Sequence, residues 1–223
     1  MKQYVNLAII LTAIAMILVS CLSPYSGDEE GLPEKEAPIT ESDLFVPIDS
    51  TNEIRFYTND PKYRYPSGCT LWTYSSDAEI FMERAVTVRK PLGSNLAGYG
   101  LIICSGQREV KGQTETVFLT VMINNNKQYA IGKVISGYYE GLVHWTEASG
   151  LINGIGLSNE IRIKKDEENS NKYYLFFNNV SAGSFTDEEM PRCEGYGRSG
   201  YVVVIAQDDL NNSAVEVRFK EQP

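Results

Sequence analysis

The chain has 223 residues and a formal net charge of −9, from 20 Lys and Arg against 29 Asp and Glu. That length allows one large β domain or two small ones, with enough chain to bury a proper core. The acidic balance argues against nucleic acid as a partner, because phosphate binding wants clustered Lys and Arg.

Lys2 gives a minimal positive start, and residues 5–19 are almost unbroken apolar sequence. A bilayer span needs about 20 such residues, so residues 1–20 read as a cleaved export signal. The run closes on Leu18-Val19-Ser20-Cys21, which resembles the lipobox of bacterial lipoproteins. The resemblance implies cleavage before Cys21 and acylation of its sulfur with a diacylglycerol carrying palmitate-like chains. The mature protein would then be a lipoprotein of the cell envelope, held on a membrane and either on the outer membrane or facing the periplasm. An ordinary signal peptide with a chance Cys, or a single-span anchor, stays open beside it.

Losing residues 1–20 removes only Lys2 and moves the charge to −10. Residues 22–50 carry eight acids against Lys35, a net −7, which leaves −3 for the rest. With Pro24, Pro33, Pro38 and Pro47 in the same stretch, residues 21–51 read as an acidic, disordered tether. The domain proper is then 52–223.

Three cysteines remain beyond Cys21, so at most one internal disulfide forms. Cys104 lies in an apolar run and reads as a buried thiol. Cys69 and Cys193 sit in loops bearing Gly or Pro and are the disulfide candidates, although spacing alone does not fix connectivity. No Cys-x-x-Cys or His/Cys cluster supports a metal site.

After the tether, residues 53–57 (EIRFY) alternate as a strand, and 59–68 are turn-rich. Residues 71–74 make a short strand. Residues 79–89 alternate again, with a phase slip near Arg84-Ala85 that suits a bulge. Residues 91–98 read as a loop, 99–105 and 116–123 as buried strands, and 124–126 as a hairpin turn into 128–135. Residues 138–145 continue the meander, and 148–158 are small and Gly-rich. Residues 159–180 form the best-marked pair, two strand-like runs around an acidic, Asn-rich loop. The second run ends on Asn178-Asn179, residues that tolerate the positive φ of a tight turn. Residues 185–200 read as a long polar loop, 201–206 as the most apolar strand, and 214–219 as a closing strand. With no convincing helical period after residue 20, the chain is all-β and reads as one antiparallel β-sandwich.

Over roughly residues 70–220 this order resembles the concanavalin A-like jelly roll of laminin-G modules, legume lectins and family 16 glycoside hydrolases. The nearest likeness is to the bacterial 3-keto-disaccharide hydrolase type. It is carried by Tyr99-Gly100-Leu101-Ile102, Asn159-Glu160-Ile161-Arg162-Ile163, residues 174–179 (YLFFNN) and residues 197–202 (GRSGYV). The resemblance implies a sandwich whose face takes a carbohydrate, with or without hydrolysis.

For hydrolysis, such enzymes set acids at i, i+2 and i+4 of one strand. Here Glu79 and Glu83 have that spacing, but Phe81 takes the middle place, and two solvated Glu on an outer face are the simpler expectation. His144, the one histidine, has no Gly-x-Ser-x-Gly elbow to serve and reads as structural. Asp187-Glu188-Glu189 and Asp208-Asp209 with Asn211-Asn212 could offer oxygens to calcium, yet match no known ligand spacing and read as turns. No cofactor is expected otherwise. Fourteen Tyr and two Trp are the richer supply, since each offers a flat apolar face with a polar tip. Trp72, Tyr138, Tyr139 and Trp145 are the ligand-binding candidates. The sequence thus leads to a non-catalytic envelope lipoprotein that binds a glycan or an envelope protein, with an envelope glycosidase as the alternative.

Overall fold

The computed structural model describes residues 44–48, 52–63, 70–76, 85–136, 138–169, 171–186, 198–206, 209–210 and 213–222. The export signal, Cys21, Cys69, Cys193, residues 79–83, the 187–189 cluster, Asp208 and the Asn211-Asn212 pair lie outside the described residues.

Thirteen strands are described: β1 Phe45–Ile48, β2 Glu53–Thr58, β3 Thr70–Ser76, β4 Val86–Leu92, β5 Tyr99–Val110, β6 Gln113–Ile123 and β7 Gln128–Ile135, then β8 Tyr138–Glu147, β9 Ser158–Lys165, β10 Lys172–Phe177, β11 Val180–Thr186, β12 Arg198–Ile205 and β13 Val215–Glu221. A 3-10 turn at Pro61–Tyr63 is the only helical element among the described residues. All pairings are antiparallel. They build a seven-stranded sheet, β1-β2-β13-β4-β9-β10-β11, and a six-stranded sheet, β3-β12-β5-β6-β7-β8. The expected all-β sandwich of jelly-roll type is therefore present.

Alternation decides which side chains fill the space between the sheets. In β13, Val215, Val217 and Phe219 point inward and are fully buried, while Arg218 between them points out. Phe56, Tyr99, Phe177, Tyr201 and Phe219 are the largest inward rings. Tyr201 stacks on Phe219 at 4.3 Å between centroids, and Phe45 meets Phe56 edge-on at 4.9 Å. Cys104 is buried as expected and meets the Tyr173 hydroxyl at 2.8 Å.

Three boundaries differ from the sequence reading. The sheet begins at Phe45, inside the stretch expected as tether, because 44–48 (LFVPI) is uncharged and its first two side chains are buried. The β5–β6 hairpin runs on to Lys111-Gly112, through a bulge at Cys104 (φ 55°), into a polar tip that carries no apolar alternation. β11 falls partly in the expected polar loop, since Phe185 alone on it is buried. The Asn178-Asn179 turn has φ of 48° and 65°, the geometry that a two-residue hairpin of right-handed twist demands.

Candidate functional site

The two outer faces differ in chemistry. On the seven-stranded sheet the outward rows are charged: Arg55, Arg218 and Arg89 stand side by side across β2, β13 and β4. Glu216 holds Arg55 by two hydrogen bonds of 3.1 Å and accepts from Arg218 Nε at 2.7 Å. Glu53 lies 3.6 Å from both Arg89 and Arg218. Burial alone would raise the Glu216 pKa, but bonds from Arg55 and Arg218 outweigh it and hold the carboxyl below its ordinary value. Such a lattice of alternating charge is a solvated face.

The outer face of the six-stranded sheet is apolar. Ile102, Met122, Val202, Val204, Ala97 and Ala206 form a second hydrophobic cluster separate from the main core. Their pairing sets the floor: Val202–Gly100–Met122–Ala130 make one cross-strand row, and Gly200–Ile102–Thr120–Gly132–Gly141 the next. Thr120 is fully buried and donates its hydroxyl to Gly132 O at 3.3 Å.

Two aromatic side chains of β8 lie on this floor, and both use missing Cβ atoms. A methyl group added at Gly132 would overlap the Tyr139 ring, so the ring rests on the bare backbone of β7. A methyl group at Gly98 would come within 3.0 Å of the Trp145 ring tip and 3.2 Å of the Met122 sulfur. The indole therefore reaches from the edge strand over Met122 toward β5. Both rings stay half-buried above a buried floor. The Tyr139 phenol has its pKa pushed up to about 12 by burial, with the Thr120 hydroxyl drawing it slightly back. Among the described residues, Tyr139 Oη and Arg162 Nε are the buried side-chain polar atoms without a hydrogen-bond partner. The Tyr139 hydroxyl is thus turned down against Gly132 of the floor, and the ring face is what the residue presents outward.

A polar network fixes the rim beside Trp145. Lys90 is fully buried, and its ammonium donates to Ser94 O at 2.9 Å and Ala97 O at 3.2 Å. Asp209 accepts from the amides of Ser94 at 2.6 Å and Ala206 at 2.8 Å. Asn125 accepts from the Tyr99 hydroxyl at 2.8 Å and donates to Lys90 O at 3.3 Å. The loop ending at Gly98 is thereby held where the indole needs it.

Of the four aromatic candidates, Tyr139 and Trp145 come together on one face. Trp72 is turned the other way: its indole donates to Tyr63 O at 3.0 Å, its ring meets Tyr63 edge-on at 5.4 Å, and it packs against the main core. Tyr138 opens β8 opposite Ile135, with its side chain outside the described residues. His144 is exposed on β8. No group of three or more His, Cys, Asp or Glu comes together among the described residues.

Several solved structures are similar over most of this chain. At 6% identity the structure is similar to a β-glucanase from Bacillus licheniformis, with a TM-score of 0.49 and 76% of each chain covered. It is also similar to a family 16 endo-glucanase from Bacteroides ovatus, at 9% identity and a TM-score of 0.43, over 76% of this chain and 80% of that one. A third likeness is to the carbohydrate-binding module CBM66 from Bacillus subtilis, at 8% identity and a TM-score of 0.40, over 78% and 84%. No protein-family model matches the sequence. No curated protein matches it either.

Thr120, Met122, Phe118 and the glycines beneath the rings were not singled out from sequence. Their signal was there: residues 116–123 (TVFLTVMI) are apolar on both alternating faces, the mark of a strand covered on both sides.

Proposed function

We propose that this protein is a glycan-binding lipoprotein of the cell envelope, and that it binds through the outer face of its six-stranded sheet. The observation that carries the reading is the Tyr139–Trp145 pair, two half-buried rings on a glycine-gapped apolar floor. A pyranose ring has apolar C–H faces and hydroxyl edges, so it matches flat aromatic surface together with a few polar groups. The lipobox at Cys21 and the acidic stretch after it support a membrane-anchored location. Envelope proteins that meet the same face are the other partner class.

A glycan array probed with the full chain tests the binding claim. Trp145→Ala should weaken the signal sharply, and a blank array with the parent chain sinks the reading. Cleavage of a bound oligosaccharide that disappears in Glu79→Gln or Glu83→Gln would turn the binder into an enzyme. Mass spectrometry of the membrane form should find an acylated N-terminal Cys21; an unmodified N-terminus removes the anchor.

A further inference from the structure

The sandwich has one end that water does not favour. Among the described residues eight large hydrophobic side chains are well exposed, and six of them (Leu92, Leu96, Ile152, Ile155, Leu157 and Val180) lie at the same end. They come from the end of β4 and the loop after it, the β8–β9 loop and the start of β11, each between 42% and 56% exposed. The three segments touch. Gly156 N donates to Lys90 O at 2.9 Å, and a methyl at Gly156 would sit 3.7 Å from Pro91 Cα. Gly154 N donates to Asn125 O, which itself lies beside Asn95 through Asn125 N→Asn95 O at 3.1 Å. Asn178 donates to Gly150 O at 2.7 Å, and a methyl at Gly150 would lie 2.9 Å from Val180 Cβ. Contiguous apolar surface of this kind marks an interaction site.

We infer that this end of the sandwich rests on a lipid bilayer, with the aliphatic loops dipped into the headgroup boundary. The inference rests on the anchoring proposed through Cys21 and adds the orientation of the domain. Four observations favour lipid over protein as the occupant. The six exposed side chains of the patch are all aliphatic, with Tyr57 at its margin in the row of Leu92 through Glu216, and Leu and Ile enter hydrocarbon favourably. Residues 91–98, 148–158 and 178–186 carry no charged side chain at all. Half of the amides of the longest loop are satisfied from within: Leu151, Gly154, Gly156 and Leu157 donate to protein carbonyls, and Asn159 caps both the amide (2.7 Å) and the carbonyl (3.1 Å) of Ile152. Surface loops in water have no such need, whereas polar backbone in lipid does. Finally, the chain enters the sheet at this same end. Phe45 pairs with Phe56 near the end of β2, and Val215 at the start of β13 pairs with Thr58. An anchor preceding residue 44 therefore joins the domain at this end, the shortest path from the tether to the membrane.

The test uses the full chain reconstituted in lipid vesicles, with a reporter tryptophan at exposed Ile155 (Ile155→Trp), a second at Leu157 (Leu157→Trp) and a control at Glu167 (Glu167→Trp) in the β9–β10 loop at the opposite end. Flotation reports anchoring; quenching by brominated acyl chains reports docking. We expect I155W and L157W emission to shift blue and be quenched about twofold, as suits a loop buried ~5–10 Å into the boundary, with E167W unaffected. Co-flotation without quenching at either loop position overturns docking and leaves anchoring intact. Failure to float overturns both. A blue shift that needs no vesicles and tracks dimer formation makes a second copy the occupant, and equal quenching at Glu167→Trp removes the orientation.

Discussion

The two outer faces of this sandwich have the same backbone and opposite chemistry. An antiparallel sheet packed on one side is expected to face water with polar residues on the other. The seven-stranded sheet obeys, with Arg55, Arg89 and Arg218 interleaved by Glu53 and Glu216. The six-stranded sheet does not: its outward positions are Ile102, Met122, Val202 and Val204, roofed by Tyr139 and Trp145. That floor is buried within the chain, with Ile102, Met122 and Val202 at 1% exposure or less, so what this sheet turns outward is the half-buried pair of rings above it. The proposed binding surface is that pair of rings, whereas the charged face needs only water.

The largest expected effect comes from the floor itself. A methyl group at Gly100 would strike the backbone of Val121, which no rotamer change relieves. Gly100→Ala should therefore cost about 3 kcal/mol or more, read as a drop in the urea midpoint. A stability near that of the parent would mean the two central strands are looser than described.

Next comes the contrast between faces. Trp145→Ala should reduce glycan affinity by about tenfold or more, since truncating a central aromatic anchor of an interface costs about 2 kcal/mol or more and each 1.4 kcal/mol is tenfold. Arg89→Ala, on the other sheet, should leave binding unchanged and stability within about 1 kcal/mol, as exposed ion pairs contribute little. Equal losses from both variants would erase the distinction.

A finer probe is Tyr139→Phe. Its hydroxyl is buried against Gly132 without a hydrogen-bond partner, so removing it should leave stability level or slightly raised and glycan affinity unchanged, because the ring face remains. A destabilised variant would put that hydroxyl to structural use instead.

The smallest effect is electrostatic. The Glu216 pKa lies below its usual 4.5 in the folded state, so its contribution is present above that value and fades as pH falls through the folded one. The parent should lose denaturant resistance below about pH 4.5, and Glu216→Gln should lose less over the same window. Identical acid profiles would show that the Arg–Glu lattice contributes nothing measurable.

How far the sequence revealed all this follows from which residues carry periodic information. Strands with one wet face alternate and were legible, as in β9 and β10 around their Asn-rich loop. The Asn178-Asn179 turn was legible because few residues accept φ of 48° and 65°. β11 was missed because VSAGSFT buries only Phe185, and β1 because an acidic stretch precedes it. The site was half legible. Aromatic supply drew attention to Trp72, Tyr139 and Trp145 together, but the face of a ring depends on register. Trp72 lies opposite Val203, an inward residue, whereas Tyr139 lies opposite Val134 on the outer side. The glycines below the rings gave no warning, because a missing side chain carries no pattern until something is seen resting on it.

The chain has two tryptophans, and they occupy opposite sides of the same sheet. Their indole N–H resonances can be followed separately while an oligosaccharide taken from the array is titrated into the protein. The Trp145 signal should move in proportion to occupancy and the Trp72 signal, bonded to Tyr63 O, should stay in place. A bound glycan that shifts Trp72 and leaves Trp145 still would contradict the assignment of the binding face.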